Sequence, residues 1–266
     1  MAGEPISEAE ALARLRQSDD PSQQYYGAWW LGRNRSQHPD AVPLLIEALR
    51  QRRPRDPCAG VEENAVARNA ARALGKLAPA AQAAIPELLA ALDDPDDGLR
   101  EAAARALGDL RASEAVLPLC QRLAGGPAVA GAQQADNPRL MEPCEALLEA
   151  LGAIGVGTAA VQAVIEPFLQ HERPLIRSAA ARALLQLSGE AQWAEPLLQL
   201  LRHQQLQVRR AALMDLGAAG YRPAAQAISA TLAENSLKLI ALRGLVENGC
   251  GEPDDEALLV AMDALL

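Results

Sequence analysis

IPELLAALDDPDDGLREAAARALGDL, Ile85 to Leu110, is the stretch that decides the fold. Ile85, Leu88, Leu89 and Leu92 recur at i, i+3, i+4 and i+7, which is one face of a helix. Pro86 falls in the first turn, where its missing N–H costs nothing and its fixed φ helps. Asp93-Asp94-Pro95-Asp96-Asp97-Gly98 ends this helix and caps the next. In the second helix Leu99, Ala102, Ala103, Ala106, Leu107 and Leu110 form another apolar stripe, with alanines small enough for a neighbouring helix to come close. One such hairpin leaves an apolar face bare, so it predicts neighbours of the same kind.

The chain supplies them. AARALG-x-L at Ala70 to Leu77 recurs at Ala103 to Leu110, a shift of 33 residues, and AARAL returns at Ala180 to Leu184. Looser copies are ALLEALGAI (Ala146 to Ile154), VRRAALMDLG (Val208 to Gly217) and LKLIALRGL (Leu237 to Leu245). Prolines mark the first helix of successive pairs at Pro43, Pro86, Pro118, Pro167 and Pro196. A helix pair repeating every thirty-odd residues is a solenoid signature, nearest to the HEAT type. The expected fold is therefore all-α, a right-handed, crescent-shaped α-solenoid (alpha-alpha superhelix) of about seven HEAT-like hairpins, forming one domain over residues 1–266. Its composition agrees, with 50% hydrophobic residues and a single Phe.

Two long inserts interrupt the period, Gln51 to Asn64 and Ala124 to Pro138. Both fall at the turn within a hairpin, so they are expected on one edge, either shaping a binding surface or as tolerated surface loops. Ser7-x-x-Glu10 reads as a capping box for the first helix, and Asp19-Asp20-Pro21 opens the second.

A net charge of −9 and scattered arginines argue against a nucleic-acid surface. The N-terminal MAGEPISEAE has no apolar core, and no run of about 18 apolar residues exists, so neither a secretory signal nor membrane insertion is expected. A cytoplasmic protein is the expectation. Cys58, Cys120, Cys144 and Cys250 show no CxxC spacing, which points to reduced thiols rather than zinc or disulfides. Cys120 and Cys144 read as small core residues, while Cys58 lies among arginines that could lower its pKa or is an incidental loop thiol. His38, His171 and His203 stand far apart and read as ordinary surface histidines, and no metal site is expected.

Aligning the second helices on their Leu-Gly ends gives the positions that face away from the core. These are Tyr25 and Trp29, Arg68 and Arg72, Glu101 and Arg105, Glu145 and Glu149, Ser178 and Arg182, Arg210 and Met214, and Leu239 and Arg243. They form a ladder along the groove that such helices line. Four of the seven aromatic residues lie within Tyr25 to Trp30. By this alignment Tyr26 and Trp30 point into the core, and Tyr25 and Trp29 into the groove. Rings beside Arg33, Arg35, Arg68 and Arg72 suit a planar conjugated ligand bearing carboxylates, because rings bury its faces and guanidinium groups clamp its acids. The alternative is that the bulky side chains plug the open end of an alanine-rich core. No nucleophile elbow, P-loop or Ser/His/Asp grouping is present.

At YYGAWWLGRNR, Tyr25 to Arg35, the chain resembles the phycobilin lyases with HEAT-like repeats, more narrowly the E-type (alpha) subunits of the heterodimeric phycocyanobilin lyases. VRRAALMDLGAAGY (Val208 to Tyr221) and ENSLKLIALRGL (Glu234 to Leu245) resemble segments of the same subunits. The resemblance implies a heterodimer with an F-type subunit. It implies transfer of phycocyanobilin, an open-chain tetrapyrrole, to a cysteine of the phycocyanin alpha chain as a thioether. Phycocyanobilin is then the substrate, and no cofactor is implied. The acceptor thiolate adds to the A-ring ethylidene, so the lyase supplies orientation rather than a nucleophile. The ladder, not the resemblance, suggests the contacts: bilin faces on Tyr25, Trp29 and Trp30, with propionates near Arg33, Arg68 or Arg72. Leu239, Leu265 and Leu266 read either as partner interface or as a C-terminal cap. The competing function is a non-catalytic HEAT-repeat adaptor that binds phycobiliproteins or bilins during antenna assembly or degradation.

Overall fold

The computed structural model describes residues 6–52, 64–135, 137–249 and 255–265. The chain is an all-α solenoid of HEAT-like hairpins, and no strand occurs among the described residues. Two compact units, Met1–Arg122 and Leu123–Leu266, make it up. The first insert lies mostly outside the described residues, as do Cys58, Cys250 and Leu266.

The first unit pairs α1 (Glu8–Leu15) with α2 (Pro21–Arg33), α3 (Ala41–Arg50) with α4 (Ala65–Lys76), and α5 (Ile85–Ala91) with α6 (Asp97–Asp109); α7 (Val116–Leu123) closes it. The predicted caps form. Ser7 Oγ accepts from Glu10 N–H at 3.2 Å, and Asp20 caps α2 with Pro21 in its first turn. Asp96 Oδ1 accepts from Leu99 N–H at 3.1 Å to open α6. The α6 stripe, from Leu99 to Leu110, is buried as expected.

What stacks one hairpin on the next is a glycine opposite an alanine. A Cβ placed on Gly32 of α2 would lie 2.8 Å from both Cα and Cβ of Ala73 in α4, and one on Gly75 3.0 Å from Cα of Ala106 in α6. Carbon atoms in van der Waals contact sit about 3.5–4.0 Å apart, so these helices touch backbone to backbone. The Leu-Gly ends of the repeat are therefore contact points, not only helix ends.

The second unit continues the pattern with α8 (Gly126–Val129), α9 (Cys144–Ile154), α10 (Ala159–Ile165), α11 (Pro174–Ser188), α12 (Ala194–Leu200), α13 (Leu206–Ala219), α14 (Ala225–Ala230), α15 (Asn235–Asn248) and α16 (Asp255–Asp263). Gly152 meets Ala183, and Gly217 meets Ala241, in the same close approach. Left-handed Gly155, Gly189 and Gly220 end α9, α11 and α13.

The hairpin turns carry a lock that the sequence reading missed. Ahead of α11, His171 Nδ1 accepts from Arg173 N–H at 3.0 Å, and Arg177 donates to the carbonyls of His171 and Glu172. His203 and Arg209 repeat this before α13, as do Asp94 and Arg100 before α6. The signal was an Arg six residues after each turn residue. His171 is accordingly not a surface histidine: it is buried, and its Nε2 donates to Gly131 O at 3.1 Å. That bond ties the second insert, at Gly131, to the turn before α11. Met141 N–H donates to Ala132 O, Glu142 N–H to Ala130 O, and Arg173 to Pro138 O.

Candidate functional site

The packed face of α2 consists of Gln24, Gly27, Ala28, Leu31 and Gly32. Small residues do the packing on both sides, Gly27 against Ala11 and Leu15 of α1 and Gly32 against Ala73 of α4. The four aromatic rings are left outside that stripe. Tyr25 and Tyr26 are 42% and 39% exposed, and both tryptophans are half-buried.

Tyr26 thus departs from the expected core position, for a reason the repeat makes clear. In the later hairpins, the positions equivalent to Trp30 are Ala73 and Ala106, which press against the preceding second helix. Among the described residues no second helix packs on this side of α2, and Tyr26 stays 39% exposed with Trp30 half-buried. Tyr26 instead joins Trp29, ring centroids 5.4 Å apart at an interplanar angle of 32°. The Arg14 guanidinium lies 5.2 Å from the Tyr26 ring centre, and that of Arg33 lies 5.3 Å from the Trp29 ring centre. Cation–π contacts at exposed sites are worth about 0.5–1 kcal/mol each, enough to hold the rings upright. Trp30 faces away from this group, toward the end of α2, where it lines a depression of about 540 Å³ with Arg35 and His38.

The ladder of outward positions is used unevenly. Arg68 is tied to Asp96 (3.4 Å) and only 17% exposed, so it is not the open propionate ligand expected of it. Arg105 pairs with Glu101 at 3.3 Å. In the second unit Ser178 is fully buried rather than facing a groove, and hydrogen-bonds Asp215 at 2.5 Å. Arg182 is shared between Asp215 (3.3 Å) and Glu149 (3.8 Å), closing a buried polar network across α9, α11 and α13. Burial pushes the Asp215 carboxyl up against the opposing pull of Arg182 and the Ser178 hydroxyl. Arg210 pairs with Glu234, and Arg243 with Glu247 at 2.7 Å. Exposed Arg72 makes no ion pair among the described residues, and Arg33 faces only a ring. Of the ladder's arginines, only Arg72 on α4 is thus left without an ion pair among the described residues.

Other candidates fall away. A cavity of about 630 Å³ lies on α12 and α14 of the second unit, lined by Leu198, Leu201, Ala227 and Leu232. Its Arg209 is spent on the carbonyls of His203, Gln204 and Leu232. Burial raises the Cys144 thiol to about 12 and shifts Cys120 upward too, so neither offers a thiolate near neutral pH. Leu265 packs onto the core of the second unit and its carbonyl accepts from Asn235, a cap; Leu239 is half-buried on α15.

Residues 23–51, which include the whole aromatic segment, match the model of the PBS lyase HEAT-like repeat, and residues 59–135 match HEAT repeats. The bilin biosynthesis protein RpcE of Synechococcus sp. (strain WH8020) is 49% identical, over 98% of this chain and 96% of its own length. The phycocyanobilin lyase subunit alpha of Picosynechococcus sp. (strain PCC 7002) is 47% identical, over 97% and 95%. Among solved structures, the complex of CpcE and CpcF of phycocyanin lyase from Nostoc sp. PCC7120 superposes with a TM-score of 0.89 at 43% identity, covering 100% of this chain and 97% of that one. With a HEAT-like stack and relatives that match almost end to end, the chain belongs to the family of phycocyanobilin lyase alpha subunits.

Proposed function

We infer that this chain is the alpha subunit of a lyase that, with an F-type partner, attaches phycocyanobilin to a cysteine of the phycocyanin alpha chain. The observation that carries the site is the exposed side of α2, where the Tyr26 and Trp29 rings stand together with the Arg33 guanidinium over Trp29, while Arg72 lies exposed on the neighbouring α4. The rings bury the conjugated plane, Tyr25 extends that surface, and the guanidinium groups take propionates. The substrate protein brings the nucleophile. Its thiolate sulfur bonds to the A-ring ethylidene carbon, the double bond's electrons move into the ring, and a proton completes the addition. Holding an extended tetrapyrrole with that carbon presented is work of orientation, which accounts for a chain whose described cysteines are not poised for attack.

The F-type partner docks on the second unit, where α15 and α16 leave Ile240, Val246, Leu259 and Val260 exposed beside half-buried Leu239. The setting is the cyanobacterial cytosol beside the phycobilisomes, and no described helix is long and apolar enough to cross a membrane. The test is co-expression with the partner, bilin synthesis and the acceptor chain, followed by zinc-induced bilin fluorescence on denaturing gels. A covalent adduct supports the lyase. A stable complex without adduct assigns the chain instead to a non-catalytic adaptor.

A further inference from the structure

At the exposed end of α2, Trp30 occupies the position where later repeats carry Ala73 and Ala106. Those alanines let the preceding helix approach backbone to backbone. An indole at that place forbids the same approach, so this end is not built to receive another repeat. What surrounds Trp30 is polar. Ser36 Oγ donates to Glu8 Oε1 at 2.6 Å, which fixes the turn after α2 against the start of α1. His38 Nδ1 accepts the Asp40 N–H at 3.2 Å, so the neutral ring carries its proton on Nε2, as a donor. Arg35 is held at φ 49°, the left-handed conformation that Gly155, Gly189 and Gly220 take at the ends of α9, α11 and α13. No hydrogen bond or ion pair engages its guanidinium among the described residues.

An arginine where other repeats use glycine costs backbone energy, and such strain persists where the side chain has a task. Arg111, at the same place after α6, shares the conformation at φ 51° but does not line this depression. The strain therefore counts only together with the surroundings. We propose that Trp30, Arg35 and His38 form a carboxylate site, in which the indole covers part of a flat apolar body while the guanidinium and the Nε2–H bind an acid carried on a flexible arm. A propionate of the open-chain tetrapyrrole is a ligand of that class. The site is distinct from the Trp29 face, and it rests on the lyase reading above. The two together let α2 hold one pigment at two points, which fixes its direction as well as its plane.

The experiment compares binding of phycocyanobilin and of its dimethyl ester to the heterodimer, followed by the absorbance change of the pigment. Arg35→Gly is expected to fold well, since glycine relieves the left-handed residue. It lowers free-acid affinity about tenfold, as loss of a charge-assisted hydrogen bond does, and leaves the ester unchanged. Trp30→Phe weakens both ligands. Arg111→Gly, which relieves the same strain elsewhere, changes neither. Equal acid-to-ester ratios in the parent and Arg35→Gly overturn the carboxylate site while leaving pigment binding intact. Failure of every heterodimer, parent included, to bind either pigment overturns the lyase reading itself.

Discussion

Gly32→Ala tests whether direct backbone packing really joins the hairpins. In an exposed helix this change stabilises by about 1 kcal/mol, the propensity difference between the two residues. Here the new Cβ would sit 2.8 Å from Cα and Cβ of Ala73. Neither atom is the end of a flexible side chain, so α2 and α4 must part by about 0.7 Å or more to restore van der Waals separation. Overpacking of that kind costs about 2–3 kcal/mol, toward the upper end of its usual range. The net result is a loss of about 1–2 kcal/mol, which lowers Tm by about 2–8 °C for a chain of this size. Ala73→Gly in the same background recovers only part of the loss, because the new methyl group still meets the main chain of residue 73. Urea unfolding followed by far-UV circular dichroism measures the difference. A variant more stable than the parent by about 1 kcal/mol, as propensity alone predicts, refutes the close approach. The same displacement moves α2, which carries Trp29, relative to α4, so pigment affinity should fall in parallel with stability.

Arg111→Gly should raise stability by about 1 kcal/mol, since glycine takes the left-handed conformation without strain; an unchanged urea midpoint contradicts this. His171→Ala removes the bond to Gly131 O and should open the second insert, so limited proteolysis should cut between residues 130 and 142 in the variant and spare the parent. Asp215 holds its proton more tightly folded than unfolded, because burial outweighs Arg182. Its contribution to stability is thus complete below the unfolded value of about 3.9 and is lost as pH rises through the folded one. Asp215→Asn keeps an acceptor for Ser178 and should gain on the parent as pH is raised from about 4 to 7; parallel stability curves would show that the carboxyl titrates normally.

The repeat pattern made the fold legible because a hairpin stack leaves its mark locally: apolar stripes, proline starts, acidic turns and Leu-Gly ends all recur. The helices of Ile85 to Leu110 form as expected, with Asp96 as the cap. What a repeat alignment could not supply was the neighbour that is missing. It placed Tyr26 in the core by analogy with Ala102, but among the described residues no second helix covers that side of α2. It also treated every outward charge as available. Arg68 and Arg182 are engaged by Asp96, Glu149 and Asp215, partners that periodicity along one helix does not reveal. The His171 anchor was hidden for a related reason. A turn residue that caps its own helix and also reaches Gly131, forty positions earlier, looks in sequence like any surface histidine.

Titration of phycocyanobilin into the heterodimer formed with Trp29→Ala, beside the parent, tests the pigment site most directly. Removing the ring should weaken binding by at least about tenfold, the loss expected for a stacked aromatic ring over a conjugated plane, with Tm and partner assembly unchanged. An identical bound spectrum and affinity in the variant would place the pigment somewhere other than on the face of α2.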